Sequence, residues 1–197
     1  MIVLDTEDLK NAKISLWLLI INLACFVIFQ SPIGEQYSAY LVQNNQKIID
    51  NLEWWRLFTA IFLHADVMHI FSNIFALFLF GALVEKEFTK LTYIIIYFVS
   101  GLLGNFFTLI LFPPNTISLG ASGAIFGLIG SAFVIIAMDN PQLLLFALVY
   151  IAFFLISSLA PGINIWAHLF GLVNGVVMGY YVKQKKRSEY ESEYARY

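Results

Sequence analysis

The side chains with the greatest chemical potential in this sequence are a few polar residues in or beside long apolar segments. They are His64, His69, Asn73, Asn105, Ser122, His168 and Asn174. A serine hydroxyl attacks a carbonyl carbon when a base within hydrogen-bond reach accepts its proton. Ser122 and His168 could together supply this chemistry. No Asp or Glu lies inside the same apolar segments, so the pair would be a dyad without the acid of a catalytic triad.

Several other reaction classes lack their residue patterns. A membrane zinc protease requires His-Glu-x-x-His and an aspartyl protease requires two intramembrane carboxylates, and the sequence contains neither. Cys25, the single cysteine, has no neighbour that would favour a thiolate. Two alternatives stay open on residue types alone. The histidines could ligate a haem or a metal. Ser122, Asn73 and Asn105 could instead form interhelical hydrogen bonds, with Asn174 as a packing residue beside the glycines of span six.

The elements that must hold these side chains are membrane-spanning helices. The chain of 197 residues is 60% hydrophobic and 12% charged, which is too apolar for one soluble core. A spanning helix needs about 20 residues, and the uncharged segments, divided at Pro113-Pro114 and at Pro161-Gly162, have room for six. The predicted spans are residues 14–31, 67–84, 91–112, 119–138, 141–159 and 165–182. We therefore expect an all-α membrane protein, a six-helix bundle forming one domain over residues 14–182.

Basic residues predict the orientation of this bundle. Nine of the 11 Lys and Arg residues fall on one side of it, namely Lys10, Lys13, Lys86, Lys90, Lys183, Lys185, Lys186, Arg187 and Arg196. The side rich in Lys and Arg usually faces the cytoplasm. We expect a cytoplasmic N-terminus at residues 1–13, a cytoplasmic polar tail at residues 183–197 and a location in the cell membrane. The acidic start of the chain speaks against a cleaved signal peptide.

A long outer loop is predicted between spans one and two. Trp54, Trp55 and Arg56 lie in this loop among apolar neighbours. Rings and a guanidinium of this kind favour the headgroup level of a bilayer, where each can be half wet. The loop is therefore expected to lie in the membrane interface.

The predicted spans place Ser122 and His168 at a similar depth, because each begins a span that starts on the outer side. Small residues would let the two spans approach closely. Spans four and six carry glycines at G-x-x-x-G spacing, namely Gly123 and Gly127, and Gly171, Gly175 and Gly179. Phe126 lies one helical turn from Ser122, where its ring could pack beside His168.

Acyl transfer also requires hydrogen-bond donors for the developing oxyanion. Backbone amides beside the nucleophile suit this role, and Gly120 and Gly123 flank Ser122. His69 and Asn73 are four residues apart on one face of span two, so their side chains could add donors to the same pocket.

Several motifs in one order resemble the rhomboid intramembrane serine proteases, over about Trp54 to Tyr181. These motifs are Trp55-Arg56, His64, His69-x-x-x-Asn73, Glu85-Lys86, Gly120-Ala-Ser122-Gly123 and Ala167-His168-x-x-Gly171-x-x-x-Gly175. The resemblance implies a six-helix fold around a water-filled cavity. It implies that Ser122 attacks a peptide bond while His168 acts as base and then as acid.

The same resemblance implies an oxyanion hole made of His69, Asn73 and the Ser122 amide, with His64 in a supporting role. Many bacterial members of the family carry a tyrosine where this chain has Phe126, so the ring is kept and a hydroxyl is lost. The implied substrates are transmembrane proteins cut near the outer face. No cofactor, metal or nucleic-acid partner is expected. The alternative is a catalytically silent membrane-protein binding factor, although inactive relatives usually lack the serine or the histidine.

Overall fold

Helices make up most of this protein, whose computed structural model describes residues 4–160 and 162–194. The helices are α1 (Thr6–Asn11), α2 (Lys13–Phe29), α3 (Pro32–Leu41), α4 (Asn45–Asn51), α5 (Arg56–Thr59), α6 (Val67–Ala76), α7 (Ala82–Glu87), α8 (Lys90–Leu111), α9 (Ser122–Asp139), α10 (Leu144–Ser157) and α11 (Ile165–Tyr194). A π-helical turn, Leu77–Gly81, joins α6 to α7. Two short strands, β1 (Gln43–Asn44) and β2 (Ile117–Ser118), pair antiparallel. Pro161 of a predicted turn and Arg196 of the predicted tail lie outside the described residues.

Four helices in the described ranges are long and apolar enough to cross a membrane. They are Val67–Glu87, Lys90–Leu111, Ser122–Asp139 and Ile165–Glu193. Helices α2 and α3 form a further apolar pair that is bent by 114°, and Pro141–Ser157 is a shorter apolar helix. The predicted all-helical membrane bundle is confirmed, and each predicted span coincides with a helix. The count of six spans stays a prediction, because the first and fifth helices are shorter than the other four.

Helix α11 is longer than the sixth predicted span. It continues to Tyr194, so the predicted polar tail is an exposed helix as far as the structure describes it. An ion pair one turn apart, from Arg187 to Glu191 at 2.9 Å, supports this extension. The boundary predicted at residue 182 marks where the apolar residues end, and the helix itself continues.

Helix α9 is the centre of the bundle, and nearly all of its residues from Gly123 to Ile135 are buried. A helix that is apolar on every side lies either among other helices or in lipid, and α9 is covered mainly by α8 and α11. Helix α11 packs directly on its backbone, since a Cβ on Gly171 or Gly175 would overlap the carbonyl oxygens of Gly123 and Gly127. The structure thus brings the predicted glycine positions of these two helices into contact.

The loop between α2 and α6, predicted above as the outer loop, is held by a buried arginine. Arg56 is only 2% exposed, and its Nη1 donates hydrogen bonds of 2.8 Å to the Ala39 and Val42 carbonyls. Its Nε donates to the Glu53 carboxylate, and this hydrogen bond lowers the pKa of Glu53. The predicted half-wet position is therefore wrong for Arg56, because the loop folds back over the guanidinium to satisfy its own carbonyls. Trp55 is 52% exposed, as an interfacial position requires.

The same loop is tied to the membrane helices by buried amides. The Gln43 amide donates to the Asn105 carbonyl at 3.0 Å, and the Asn45 amide donates to the Thr108 carbonyl at 3.1 Å. In return, the Asn105 side chain donates to the Leu57 carbonyl at 2.7 Å. Asn105 therefore joins α8 to the loop, in agreement with its predicted structural role.

A carboxylate closes the opposite end of the bundle. Glu85 accepts hydrogen bonds from the Ile14 and Ser15 amides at 2.8 and 2.9 Å and from the Ser15 hydroxyl at 2.9 Å. Helix α2 has no side-chain cap of its own at Ala12, and the first amides of a helix lack partners within it. Glu85, which lies in α7, therefore caps the start of α2 and links these two helices.

We expect Glu85→Ala to lower the free energy of unfolding by about 1–3 kcal/mol, because it leaves buried donors without an acceptor. Thermal unfolding of the detergent-solubilised protein measures this loss. The control is Glu35→Ala, which removes an exposed carboxylate from α3 and should change stability by less than about 0.5 kcal/mol. A Glu85→Ala protein that melts with the wild type would contradict the capping role.

Candidate active site

Ser122 begins helix α9, and the turn that leads into it depends on a glycine. Gly120 has a φ of +132°, a backbone conformation that side-chain-bearing residues rarely adopt. A Cβ on Gly120 would also lie 2.8 Å from His69 Nε2. The Gly120 amide donates to the Ala60 carbonyl at 2.9 Å. The role predicted for this amide as an oxyanion donor is therefore wrong, because the amide already holds the turn in place.

His168 lies in the first turn of α11, which is capped by Asn164. The Asn164 side-chain oxygen accepts a hydrogen bond from the Ala167 amide at 3.1 Å. Its nitrogen donates to Thr108 Oγ1 at 2.7 Å and to Ser118 Oγ at 2.9 Å. Asn164 is absent from the site residues predicted above, although an asparagine directly before an apolar helix is a cap signal. This one side chain connects the start of α11 to α8 and to the segment before Ser122.

The structure brings Ser122 and His168 together, with His168 Nε2 2.7 Å from Ser122 Oγ. The Phe126 ring stacks on the imidazole of His168, at 4.3 Å between ring centroids and 12° between planes. The other ring nitrogen, Nδ1, lies 2.6 Å from the hydroxyl of Ser158. Ser158 is also absent from the predicted residues, because it belongs to the end of α10 and meets His168 only through the tertiary fold.

A cavity of about 1020 Å³ adjoins the pair. Polar residues of its lining include His69, Asn73 and Ser122, and apolar residues include Ile129 and Phe153. Such a space has room for several residues of an extended peptide beside the serine. A carbonyl group bound in this cavity would therefore lie next to the Ser122 hydroxyl, whose proton His168 is placed to accept.

Hydrogen-bond donors converge on the same side of the cavity. Ser122 and Gly123 are the first residues of α9, and the first amides of a helix lack acceptors within it while carrying the positive end of its dipole. The Ala65 amide donates to His69 Nδ1 at 3.5 Å, which leaves the proton of the neutral ring on Nε2, the nitrogen beside Gly120. This edge of the cavity is suited to a negatively charged oxygen.

Asn73 lies on the wall of this cavity and is largely buried. Its Nδ2 donates to the His69 carbonyl at 2.9 Å. A side-chain amide has two hydrogens on this nitrogen, so one remains for another acceptor. Asp66 caps the start of the helix that carries both residues, and its carboxylate accepts the His69 amide at 2.8 Å.

His64 lies beneath the turn that precedes Ser122. The Ala121 amide donates to His64 Nε2 at 3.5 Å, and the His64 and His69 rings meet edge to face with centroids 5.1 Å apart. Burial, together with the neighbouring His69, lowers the pKa of His64 to about 3. The ring is therefore neutral near pH 7, as it must be to accept a hydrogen bond from a backbone amide.

The remaining polar residue, Asn174, lies away from the pair. Its side chain donates to Ser100 Oγ at 2.8 Å and ties α11 to α8, which agrees with the packing role expected for it. Within residues 4–160 and 162–194, no group of three or more His, Cys, Asp or Glu side chains could hold a metal ion.

Comparison with known proteins finds related chains. Residues 51–185 match the family described as Rhomboid domain. YdcA of Bacillus subtilis (strain 168), named as a candidate rhomboid protease, is 36% identical over 149 residues, which cover 72% of this chain and 74% of YdcA. RHOMBOID-like protein 6, mitochondrial, of Arabidopsis thaliana is 34% identical over 152 residues, or 74% of this chain and 49% of that protein. Inactive RHOMBOID-like protein 8 of the same plant is 33% identical over 134 residues, or 64% of this chain and 38% of that protein.

Proposed function

Because this chain belongs to the rhomboid family, we propose that it is an intramembrane serine protease that cleaves transmembrane proteins near the outer membrane face. The observation that carries this proposal is the 2.7 Å contact between His168 Nε2 and Ser122 Oγ beside an open cavity. A nucleophile and a base within hydrogen-bond reach are the geometry that acyl transfer requires. The relative named as a candidate protease supports the same reaction class.

The proposed reaction uses this pair twice. Ser122 Oγ attacks the substrate carbonyl carbon while its proton passes to His168 Nε2. The tetrahedral intermediate collapses, the C–N bond breaks, and His168 gives the proton to the leaving amine. Water then attacks the resulting ester of Ser122 and passes a proton to His168. The ester C–O bond breaks, His168 returns this proton to Ser122 Oγ, and the product leaves with its new carboxyl group. The stacked Phe126 ring keeps the imidazole in one plane during both steps.

The oxyanion would be held at the amino end of α9. The Ser122 amide, His69 Nε2 and Asn73 Nδ2 are the donors that the cavity edge offers to it. Donors that are fixed before the reaction stabilise developing charge without a cost of reorganisation. His64 would support this arrangement indirectly, because it accepts the Ala121 amide and so holds the turn beside the nucleophile.

The substrate class follows from the surroundings of the serine. The cavity borders apolar side chains such as Ile129 and Phe153 as well as the polar pair, so it suits a segment that is mostly apolar. A carbonyl inside a helix is already hydrogen-bonded to an amide one turn later. Attack by Ser122 therefore favours transmembrane segments that unwind readily.

Two other functions were left open by the residue types. A haem or metal ligand needs a ring nitrogen with a lone pair directed at the metal, but both nitrogens of His168 face serine hydroxyls, Ser122 and Ser158. A catalytically silent binding factor is the alternative raised by the relative named as inactive. The presence of both dyad residues in contact favours catalysis over that alternative.

The proposal includes an orientation in the cell membrane with both termini in the cytoplasm. Lys86 pairs with Asp8 at 2.6 Å and Lys183 with Asp139 at 2.5 Å, so basic residues cluster with the terminal segments. A cytoplasmic position for this cluster would place the opposite end of the bundle, with Ser122, near the outer face. Residues 14–182 would then form the membrane domain, between a short N-terminal segment and the tail.

We expect Ser122→Ala and His168→Ala each to reduce cleavage of a model transmembrane substrate by at least roughly a thousandfold, since the pair acts as a unit. Purified protein in lipid vesicles and gel analysis of the products measure this loss. Ser192→Ala removes an exposed hydroxyl of the tail helix and serves as the matched control, with wild-type cleavage. Cleavage that persists in Ser122→Ala would refute the proposed nucleophile.

Asn73→Ala should lower kcat roughly a hundredfold to a thousandfold, because it removes one oxyanion donor. KM should change little, since the lost interaction is made only in the transition state. Asn174→Ala removes another asparagine from the membrane helices, one bonded to Ser100, and should keep kcat once the folded fraction is taken into account. Equal kcat values for Asn73→Ala and the wild type would assign the oxyanion to other groups.

The orientation can be measured by cysteine labelling in a Cys25→Ala background. Ser38→Cys, in the outer loop, should react with a membrane-impermeant maleimide in intact cells. Ser192→Cys, in the tail helix, should react only after the cells are permeabilised, because Lys and Arg retain this side in the cytoplasm. Labelling of Ser192→Cys in intact cells would show the reverse orientation.

A further inference from the structure

Ser158 is a buried hydroxyl at the end of α10, in contact with the base proposed above. It is only 2% exposed, and its Oγ lies 2.6 Å from His168 Nδ1. The same hydroxyl donates a hydrogen bond of 2.7 Å to the Phe154 carbonyl, one turn earlier in α10. A hydroxyl with two such contacts donates its one hydrogen to one of them and accepts at the other.

The single proton of the Ser158 hydroxyl determines the direction of these two hydrogen bonds. A hydroxyl has one hydrogen to donate and lone pairs to accept, and the Phe154 carbonyl can only accept. With its hydrogen directed at this carbonyl, Ser158 Oγ can offer only a lone pair to His168. In this arrangement the His168 nitrogen that faces it, Nδ1, carries the ring proton.

This tautomer is the one that a general base needs. A neutral imidazole has one N–H. The hydrogen bond made by one ring nitrogen determines whether that nitrogen or the other carries the proton. With Nδ1 protonated, His168 Nε2 has a bare lone pair directed at Ser122 Oγ, 2.7 Å away. The opposite tautomer would present an N–H to the serine and could not accept its proton.

We propose that Ser158 is a positioning residue that holds His168 in the Nδ1–H tautomer, in the place that a carboxylate takes in a catalytic triad. This inference rests on the proposed protease function. The hydroxyl also accepts from Nδ1–H after His168 has taken the proton of Ser122, and its own bond to the Phe154 carbonyl strengthens it as an acceptor. Ser158 accepts this hydrogen bond without carrying a formal charge.

Ser158 is a neutral group, and a neutral acceptor suits the apolar surroundings of His168. A carboxylate in the apolar interior of a membrane protein is costly unless it is paired, and the hydroxyl provides the same acceptor geometry without that cost. Phe126 restrains the plane of the imidazole by stacking, and the two serines occupy its two nitrogens. A flip of the ring would break both hydrogen bonds, so the three contacts together define a single orientation.

The tautomer can be read directly by ¹⁵N NMR of histidine-labelled protein in lipid bilayers near pH 7. The His168 signals are identified by their absence from the spectrum of His168→Ala. We expect a protonated Nδ1 in the wild type. In Ser158→Ala we expect a shift toward Nε2–H, because a buried Nδ1–H without an acceptor is unfavourable. A wild-type Nε2–H tautomer, or a tautomer unchanged in Ser158→Ala, would overturn the proposal.

Kinetics with a transmembrane substrate provide the second measurement. Ser158→Ala should lower kcat roughly tenfold to a hundredfold, the effect of leaving one buried donor unsatisfied, with KM nearly unchanged. Ser158→Thr keeps the hydroxyl and should recover most of the lost kcat. Ser157→Ala is the matched control, because Ser157 makes the same type of bond to the Phe153 carbonyl from an exposed side chain.

These outcomes separate the two proposals. An unchanged kcat in Ser158→Ala, or an equal loss in Ser157→Ala, would overturn the role of Ser158 while leaving the dyad intact. Cleavage that persists in Ser122→Ala would overturn the protease function, and the NMR experiment would still decide the tautomer, since it involves no substrate. Melting temperatures of all variants show whether each protein is folded.

Discussion

The backbone contact between α9 and α11 is the constraint on which the site depends. Ser122 and His168 belong to different helices, and their side chains are short, so they meet only if the two helices approach almost to backbone contact. Gly171 and Gly175 lie against the carbonyl groups of α9 and leave no space for a side chain. Because lipid supplies no hydrophobic force between helices, this close packing is itself the main attraction that keeps the pair together.

A second constraint is the neutrality of the groups that contact the pair. The groups in contact with His168 are an aromatic ring and two hydroxyls, and the hydrogen-bond donors at the cavity edge are amides and a histidine. Neutral groups of this kind avoid the cost of burying an ion in an apolar environment. The formally charged groups that are largely buried, such as Arg56 and Glu85, instead form several hydrogen bonds to backbone groups at the two ends of the bundle.

The loop and the turns connect these constraints to the rest of the chain. Strand β2 immediately precedes the Gly120 turn and pairs with β1 of the outer loop, and that loop is bonded in turn to α8. Asn164 joins the start of α11 to both α8 and Ser118. The ends of α9 and α11 are thus fixed by polar contacts, while their middle portions are fixed by glycine packing. The candidate site lies at the amino ends of α9 and α11, where polar contacts and glycine packing both restrain the helices.

The sequence by itself determined the helical membrane class and identified Ser122 and His168 as a candidate pair, which the fold brings into contact. Long apolar segments can satisfy their backbone in lipid only as helices, and a polar side chain in such a segment is costly enough to be informative, as with Ser122 and His168. Only the tertiary structure decided the burial of Arg56, the engagement of the Gly120 amide and the contact between Ser158 and His168. The Gly120 contact joins segments that are distant in sequence, and the Ser158 contact joins the end of α10 to α11. The burial of Arg56 reverses the usual exposure of a charged side chain. No hydrophobic periodicity or residue spacing predicts which residues a helix end will contact, because tertiary packing determines those contacts.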